Sequence, residues 1–217
     1  GWRAAICDQV GEVQAGKLVR REISQILSPG TLDDFGLDDR KPNYLAALCS
    51  RGDAFGMAFC DLSTGEFRLT ELATLPALLD ELARVSPSEI LVPDHQTDQF
   101  ATINPRSVLD GYVFESEPAT DILRSHFKVH SLDGFGCADL PAGTGAAGAL
   151  LHYITRQMRR QAGHLNRLQP YRCSQFLILD AASQSHLELV NSRAGRSMTL
   201  LGALDRTSTP MGARLLR

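Results

Sequence analysis

The sequence predicts an α/β layer with a mixed sheet, followed by a mainly helical segment. Three observations carry this. Three β-type runs joined by short turns containing glycine lie between Asn43 and Leu72. Helical and apolar strand patterns then alternate as far as Phe127. From Leu140 onward small residues and helical spacing take over.

Taken in order, "AAICDQV" (Ala4–Val10) is a short β-type run, entered abruptly from Gly1-Trp2-Arg3. In "KLVRREISQILSPG", Val19, Ile23 and Ile26 stand among polar residues, and Ser28-Pro29-Gly30 marks a turn and a domain boundary. The runs "NYLAALCS", "FGMAFCD" and "FRLTEL" are linked by "RGDA" and "LSTGE", the glycine-bearing connections that hairpins require. They form an antiparallel meander. "LPALLDELARV" places Leu75, Leu78, Leu79 and Leu82 on one face of an amphipathic helix. "SEILVP" reads as a buried strand bounded by Pro93, and "DGYVFE" as a further strand. "ATDILRSHF" is a short helix with Ile122, Leu123 and Phe127 inward. A meander followed by helix, strand and helix suits the ribonuclease H-like arrangement.

The second part opens with "LPAGTGAAGALLHYITRQMRRQ", read as one long helix. "RLQPYRCSQFLILD" supplies two short strands, and "AASQSHLELVNS" a helix with Leu187, Leu189 and Val190 at its apolar end. In "TPMGARLLR", Met211, Leu215 and Leu216 begin an apolar stripe. The expectation is a fragment whose last helix is frayed or borrows a neighbouring molecule for that stripe.

The 217 residues carry a formal net charge of −3, an ordinary globular balance that argues against a strongly basic, free-standing nucleic-acid binder. The five cysteines contain no C-x-x-C, so neither a zinc site nor a redox pair is indicated. Cys7, Cys49 and Cys60 lie in apolar runs and read as buried free thiols of a reducing compartment. No membrane span or signal pattern is visible, which makes the cytoplasm the expected location.

Gly143-Thr144-Gly145-Ala146-Ala147-Gly148 satisfies G-x-G-x-x-G, but no strand precedes it and no Gly-Lys-Ser/Thr follows. It reads as a small-residue face for close helix packing. His126 and His130 share a metal-ligand spacing without a third ligand and read as surface or satisfied core histidines. Asp61 occupies a strand end where a ribonuclease H-like nuclease would hold a carboxylate. That chemistry needs several clustered carboxylates, so turn capping is the favoured reading. There is no G-x-S-x-G, and "RGD" at Arg51–Asp53 is a hairpin turn. Arg156, Arg159, Arg160, His164, Arg167 and Arg172 form a basic cluster. It is read as the solvated end of the long helix, with contact to phosphate or an acidic partner as the alternative.

The stretches "AAICDQVGE", "VRREISQILSPGTL", "NYLAAL", "DLSTGEFRLTEL", "LDGFG", "AAGALLHYI", "LDAASQSHLEL" and "TLLGALDRTSTPMGARLLR" occur in this order. Together they resemble the interior of the MutS family, the bacterial DNA mismatch-recognition ATPases, over essentially the whole chain. The resemblance implies three parts. Residues 1–31 would end the mismatch-binding domain and its linker, 32–161 would be a ribonuclease H-like connector domain, and 162–217 would begin the helical core and lever domain. It also implies a homodimeric parent that binds mismatched double-stranded DNA, ATP and magnesium, and recruits MutL. The mismatch wedge would lie upstream and the phosphate loop downstream, leaving this region without a catalytic, cofactor or metal site of its own. Arg21 matches an arginine that approaches the DNA backbone, with Arg20 where relatives carry an acid. Asp121 and Ile122 align with a MutL-docking position where relatives carry polar amides. ATP binding elsewhere would rotate the connector against the core. A metal-dependent ribonuclease H-like nuclease and a stand-alone nucleic-acid-binding module remain the alternative functions.

Overall fold

The computed structural model describes residues 3–10, 19, 21–32, 38–173, 179–195 and 198–216. Strands β1 (Ala4–Gln9) and β2 (Arg21–Leu27) form a separate antiparallel pair, with a register shift between Ile6 and Cys7. Both are largely exposed, Cys7 included. The expectation of a buried thiol there is corrected, because a two-stranded ribbon has no second layer to cover it.

The main sheet contains β3 (Tyr44–Arg51), β4 (Ala54–Asp61), β5 (Glu66–Leu72), β6 (Glu89–Pro93), β7 (Arg106–Leu109) and β8 (Gln169–Pro170). Its order is β7-β6-β3-β4-β5-β8. The meander β3–β4–β5 is antiparallel, and β6 and β7 continue from β3 in parallel. This is the ribonuclease H-like order, extended by β8 running parallel to β5.

Alternation along β3 separates two cores. Leu45, Ala47 and Cys49 face the side that carries α2 (Ser116–Phe127) and α3 (Pro141–His152). Ala46 and Leu48 face the other side, covered by α1 (Leu75–Val85), Phe100, Ile103 and Tyr171. Helix α1 begins at Thr74, whose Oγ1 accepts from the Ala77 N–H at 3.3 Å, and ends at Ser86 in the left-handed region, φ 52°. Its buried stripe is Leu78, Leu82 and Val85; Leu79 is exposed instead of inward. At 100° per residue, Leu79 is turned onto the shoulder by its neighbour Leu78.

Helix α3 packs against β4 through small residues. A Cβ on Gly56 would collide with the Ala142 and Gly143 backbone, and one on Gly148 would come within 2.5 Å of Ala119 Cα. The glycines thus serve the close packing anticipated for them.

Several boundaries differ from expectation. The long helix ends at His152 and passes through a π-helical turn, Tyr153–Gln157. Arg160 N–H donates to Ile154 O at 3.0 Å and Arg159 adopts φ 54°, so the chain has left the helix before the basic residues end. The segment "DGYVFE" is a 3-10 helix, Gly111–Phe114, because Asp110 caps Tyr112 N at 2.9 Å and curls the backbone. The strand lies earlier, at β7. The second short strand expected within "QFLILD" falls on 174–178, outside the described residues.

Beyond them α4 (Ala181–His186) stops before Leu187, which is exposed. Two short helices close the chain, α5 (Leu200–Leu204) and α6 (Pro210–Leu216). Helix α6 runs through Leu216, started by Thr209 Oγ1 accepting from Gly212 N at 3.1 Å. Its Met211 and Leu215 are 77% and 90% exposed. Among the described residues no helix is long and apolar enough to cross a membrane.

Candidate functional site: a sheet clasped to the chain on either side

Each chemical motif of the sequence is accounted for locally. The N-terminus of α3 already holds an anion: Glu71 Oε1 accepts from Ala142 N at 2.5 Å and from Gly143 N at 3.0 Å. A phosphate would have to displace this carboxylate from the free N–H groups. Asp61 is buried and caps its turn, Oδ1 accepting from Ser63 N at 2.8 Å and from Ser63 Oγ at 2.6 Å. His126 lies 2.7 Å from the Leu165 carbonyl, the bond of a satisfied structural histidine. Among the described residues no three His, Cys, Asp or Glu side chains converge on a metal position.

Glu89 opens β6 and is buried, 4% exposed as a residue. Its two oxygens face different parts of the chain. Oε2 accepts from Ser28 Oγ at 2.5 Å and from Gly30 N at 3.3 Å, both in the segment leaving β2. Oε1 accepts from Ser107 Oγ of β7 at 2.9 Å and from Tyr153 Oη at 2.7 Å. Arg3 stands 3.5 Å from Oε1 and donates to Ser107 Oγ at 2.8 Å. Four hydrogen bonds fill the acceptor capacity of a carboxylate, and a cation offsets its charge. Burial, and then the bond to Glu89, push the Tyr153 hydroxyl pKa upward, so it stays a donor at neutral pH.

The same end of the body grips the ribbon through its backbone. Ile26 N donates to Met158 O at 3.1 Å, Arg159 donates to Ile23 O, and Arg160 Nη1 donates to Thr31 O at 2.5 Å. Arg159 and Arg160 are therefore spent on the ribbon and its exit, which corrects their reading as the solvated end of a helix. Arg156 and Arg167 remain exposed.

A second clasp holds the C-terminal segment. Arg40 Nη2 donates to Thr207 Oγ1 at 2.9 Å and Thr207 O at 3.0 Å, and lies 3.4 Å from Asp205. Arg214 of α6 donates to Asp39 O at 2.8 Å and to Ser63 Oγ at 2.7 Å. Ser63 is the residue capped by Asp61, so α6 is tied to the β4–β5 turn.

The proposed contact residues lie apart. Arg21 is exposed at the start of β2, paired in register with Gln9. Arg20 is outside the described residues. Asp121 is exposed on α2 and lies 3.8 Å from Arg124. Its neighbour Ile122 is half-buried against the α2–α3 core, so much of its side chain is used in packing. The sequence reading missed Glu89, Arg40, Glu71 and Tyr153. An acid at the mouth of the apolar run "SEILVP" was the one visible signal among them.

At the carboxyl ends of β3 and β6 a cleft of about 160 Å³ opens between Cys49, Arg51, His95, Gln96 and Phe114. Its polar groups serve one another. Gln96 exchanges two bonds with the Ser50 backbone, at 2.8 and 2.9 Å, and Arg51 pairs with Glu115 at 3.0 Å.

The geometry defines a class: an α/β joining domain with a ribonuclease H-like sheet, whose buried polar groups fasten neighbouring stretches of chain. The family described as MutS domain II matches residues 43–166, more than half of the chain. Curated relatives called DNA mismatch repair protein MutS match across the whole chain. Those from Syntrophobacter fumaroxidans and Protochlamydia amoebophila are 40% and 39% identical, with 26% and 27% of their own lengths covered. One from Dehalococcoides mccartyi is 39% identical, with 26% covered. The chain belongs to the MutS family of DNA mismatch repair proteins. It spans about a quarter of the length of these relatives.

Proposed function

We propose that this chain is the connector of a mismatch-recognition ATPase and relays changes between its neighbours. In this reading residues 1–31 end the mismatch-binding domain, 32–161 form the connector and 162–217 begin the core. The carrying observation is the pair of clasps, which fasten the two flanking segments to one end of the connector sheet, at the start of β6 and beside the β4–β5 turn. The parent, a homodimer in the cytoplasm, binds mismatched double-stranded DNA, ATP and magnesium. This region has no catalytic, cofactor or metal site of its own. Asp121 and Ile122 offer the MutL contact, and Arg21 a sequence-independent phosphate contact. ATP bound elsewhere turns the connector against the core.

Hydrogen exchange of the full-length protein with and without ATP tests the relay. Changed protection is expected at the boundaries of 32–161, and unchanged protection there would refute it. Incubation of the purified chain with labelled hybrid and branched substrates and magnesium tests the rival nuclease. No cleavage is expected; robust cleavage abolished by Asp61→Asn would establish the rival.

A further inference from the structure

We propose that Glu89 is a positioning residue, whose divided carboxylate sets the orientation of the β1–β2 ribbon on the connector sheet through Ser28 and Gly30. The inference rests on the relay reading, because it names the joint through which one neighbour would be coupled to the connector.

The argument begins with cost. A buried carboxylate is expensive unless its charge and lone pairs are met, and removing one partner of a buried pair costs about 3–5 kcal/mol. A core strand could open with an aliphatic residue at no such cost, as Ile90 and Leu91 do immediately afterwards. What the carboxylate supplies is direction. Oε1 is held by Ser107 on β7 and by Tyr153 in the π turn, both in the body of the domain. That bonding fixes where Oε2 points. Oε2 then receives one side-chain and one backbone donor from the exit segment.

The exit segment is itself stiffened to present them. Pro29 opens a 3-10 turn, Ser28 N donates to Thr31 Oγ1 at 2.8 Å, and Thr31 N donates to Ser28 O at 3.0 Å. Gly30 is pressed so close that a Cβ would lie 2.8 Å from Leu45 and 2.9 Å from Glu89. Ser28 directly follows Leu27, the last residue of β2. With Ser28 and Gly30 fixed on Glu89, the ribbon leaves the sheet in one direction.

The test uses the full-length protein carrying Ser28→Ala, Ser28→Thr or Glu89→Gln. Hydrogen exchange is read over 4–9 and 21–31 and, as a control for folding, over 44–72. Mismatch-stimulated ATP hydrolysis is read in parallel. In Ser28→Ala exchange of the ribbon and exit segment is expected to rise at least about tenfold, corresponding to about 1.4 kcal/mol of lost local stability, with 44–72 unchanged. Ser28→Thr keeps the hydroxyl and is expected to restore protection. Glu89→Gln is expected to fall between, since the Ser107 and Tyr153 hydroxyls can turn to accept from an amide while the attraction for Arg3 is lost. Unchanged exchange in Ser28→Ala, or equal loss in Ser28→Ala and Ser28→Thr, overturns the inference. Loss spread equally over 44–72 also overturns it, since Glu89 would then be an ordinary core residue. If the ribbon loosens while mismatch stimulation stays intact, the positioning role stands and the relay reading fails.

Discussion

Arg40 and Thr207 stand 167 positions apart and are joined twice, the guanidinium Nη2 donating to both the hydroxyl and the carbonyl of the threonine. Asp205 completes the arrangement, its Oδ1 accepting from Thr207 Oγ1 at 2.6 Å and from Thr207 N at 3.0 Å. Thr207 is thereby held both by Asp205 of its own segment and by Arg40. Arg40→Ala is expected to raise hydrogen exchange across 205–216 while leaving the main sheet unchanged. The cost should lie near the low end of the about 1.5–3 kcal/mol typical of hydrogen bonds to charged groups, because the Arg40 side chain is partly exposed. Arg40→Lys should recover part of the loss, since all these contacts come from the single nitrogen Nη2 and an ammonium also donates to several acceptors. Segment-resolved exchange on both variants checks this.

Gly148 tests the packing of α3 on α2. Alanine would gain about 1 kcal/mol of helix propensity. Its Cβ, however, would lie 2.5 Å from Ala119 Cα, a backbone atom that cannot swing aside. Overpacking of this kind costs about 1–3 kcal/mol, so the steric term should win and Gly148→Ala should lower the urea midpoint. At Gly163 an added Cβ meets nothing within 4 Å, and Gly163→Ala should leave the midpoint unchanged.

His152 should make stability depend on pH. Burial, and next the Arg156 charge, hold its imidazole below the ordinary value of 6.5, against an opposing pull from Asp110. The unfolded chain therefore binds this proton more readily than the folded one. Its contribution to stability is complete above 6.5 and declines as pH falls below it. An NMR titration should place the His152 midpoint below 6.5. His152→Gln should flatten the slope of stability against pH in that window.

Thiol reactivity should separate the cysteines. Cys7 is exposed on β1, whereas burial pushes the Cys49 and Cys137 thiols up to about 11 and raises Cys60 as well. A thiolate-selective reagent at neutral pH should consume Cys7 first, and Cys7→Ser should abolish that phase, while half-buried Cys173, its thiol raised by burial and by the Glu81 charge, should react more slowly. Cys49, Cys60 and Cys137 should react only on unfolding.

The contrast between Leu45 and Glu89 explains what was legible. Leu45, Ala47 and Cys49 alternate with Ala46 and Leu48, and this period reports burial without knowledge of the partner. The strand at 106–109 was missed because "RSVL" is too short for a period to register. "DGYVFE" looked extended because its apolar residues hide the curl imposed by the Asp110 cap. Glu89 could be seen as an acid beside an apolar run, but its donors come from Ser28, Gly30, Ser107 and Tyr153 and its counter-charge from Arg3. Nothing local connects those positions.

By itself the sequence determined the meander with its glycine turns, helix α1 and strand β6 after it, the tight helix face at 143–148 and the family likeness. These follow from short-range periodicity, backbone preference and ordered motifs, which are properties of neighbouring residues. Tertiary structure alone decided which charged groups are buried and what they fasten. Glu71 seals the helix that resembled a phosphate site, Arg159 and Arg160 grip the ribbon, and Glu89 and Arg40 clasp segments remote in sequence. A polar side chain is stable inside a protein only when its partners arrive in the right geometry, and those partners are chosen by where the chain folds back.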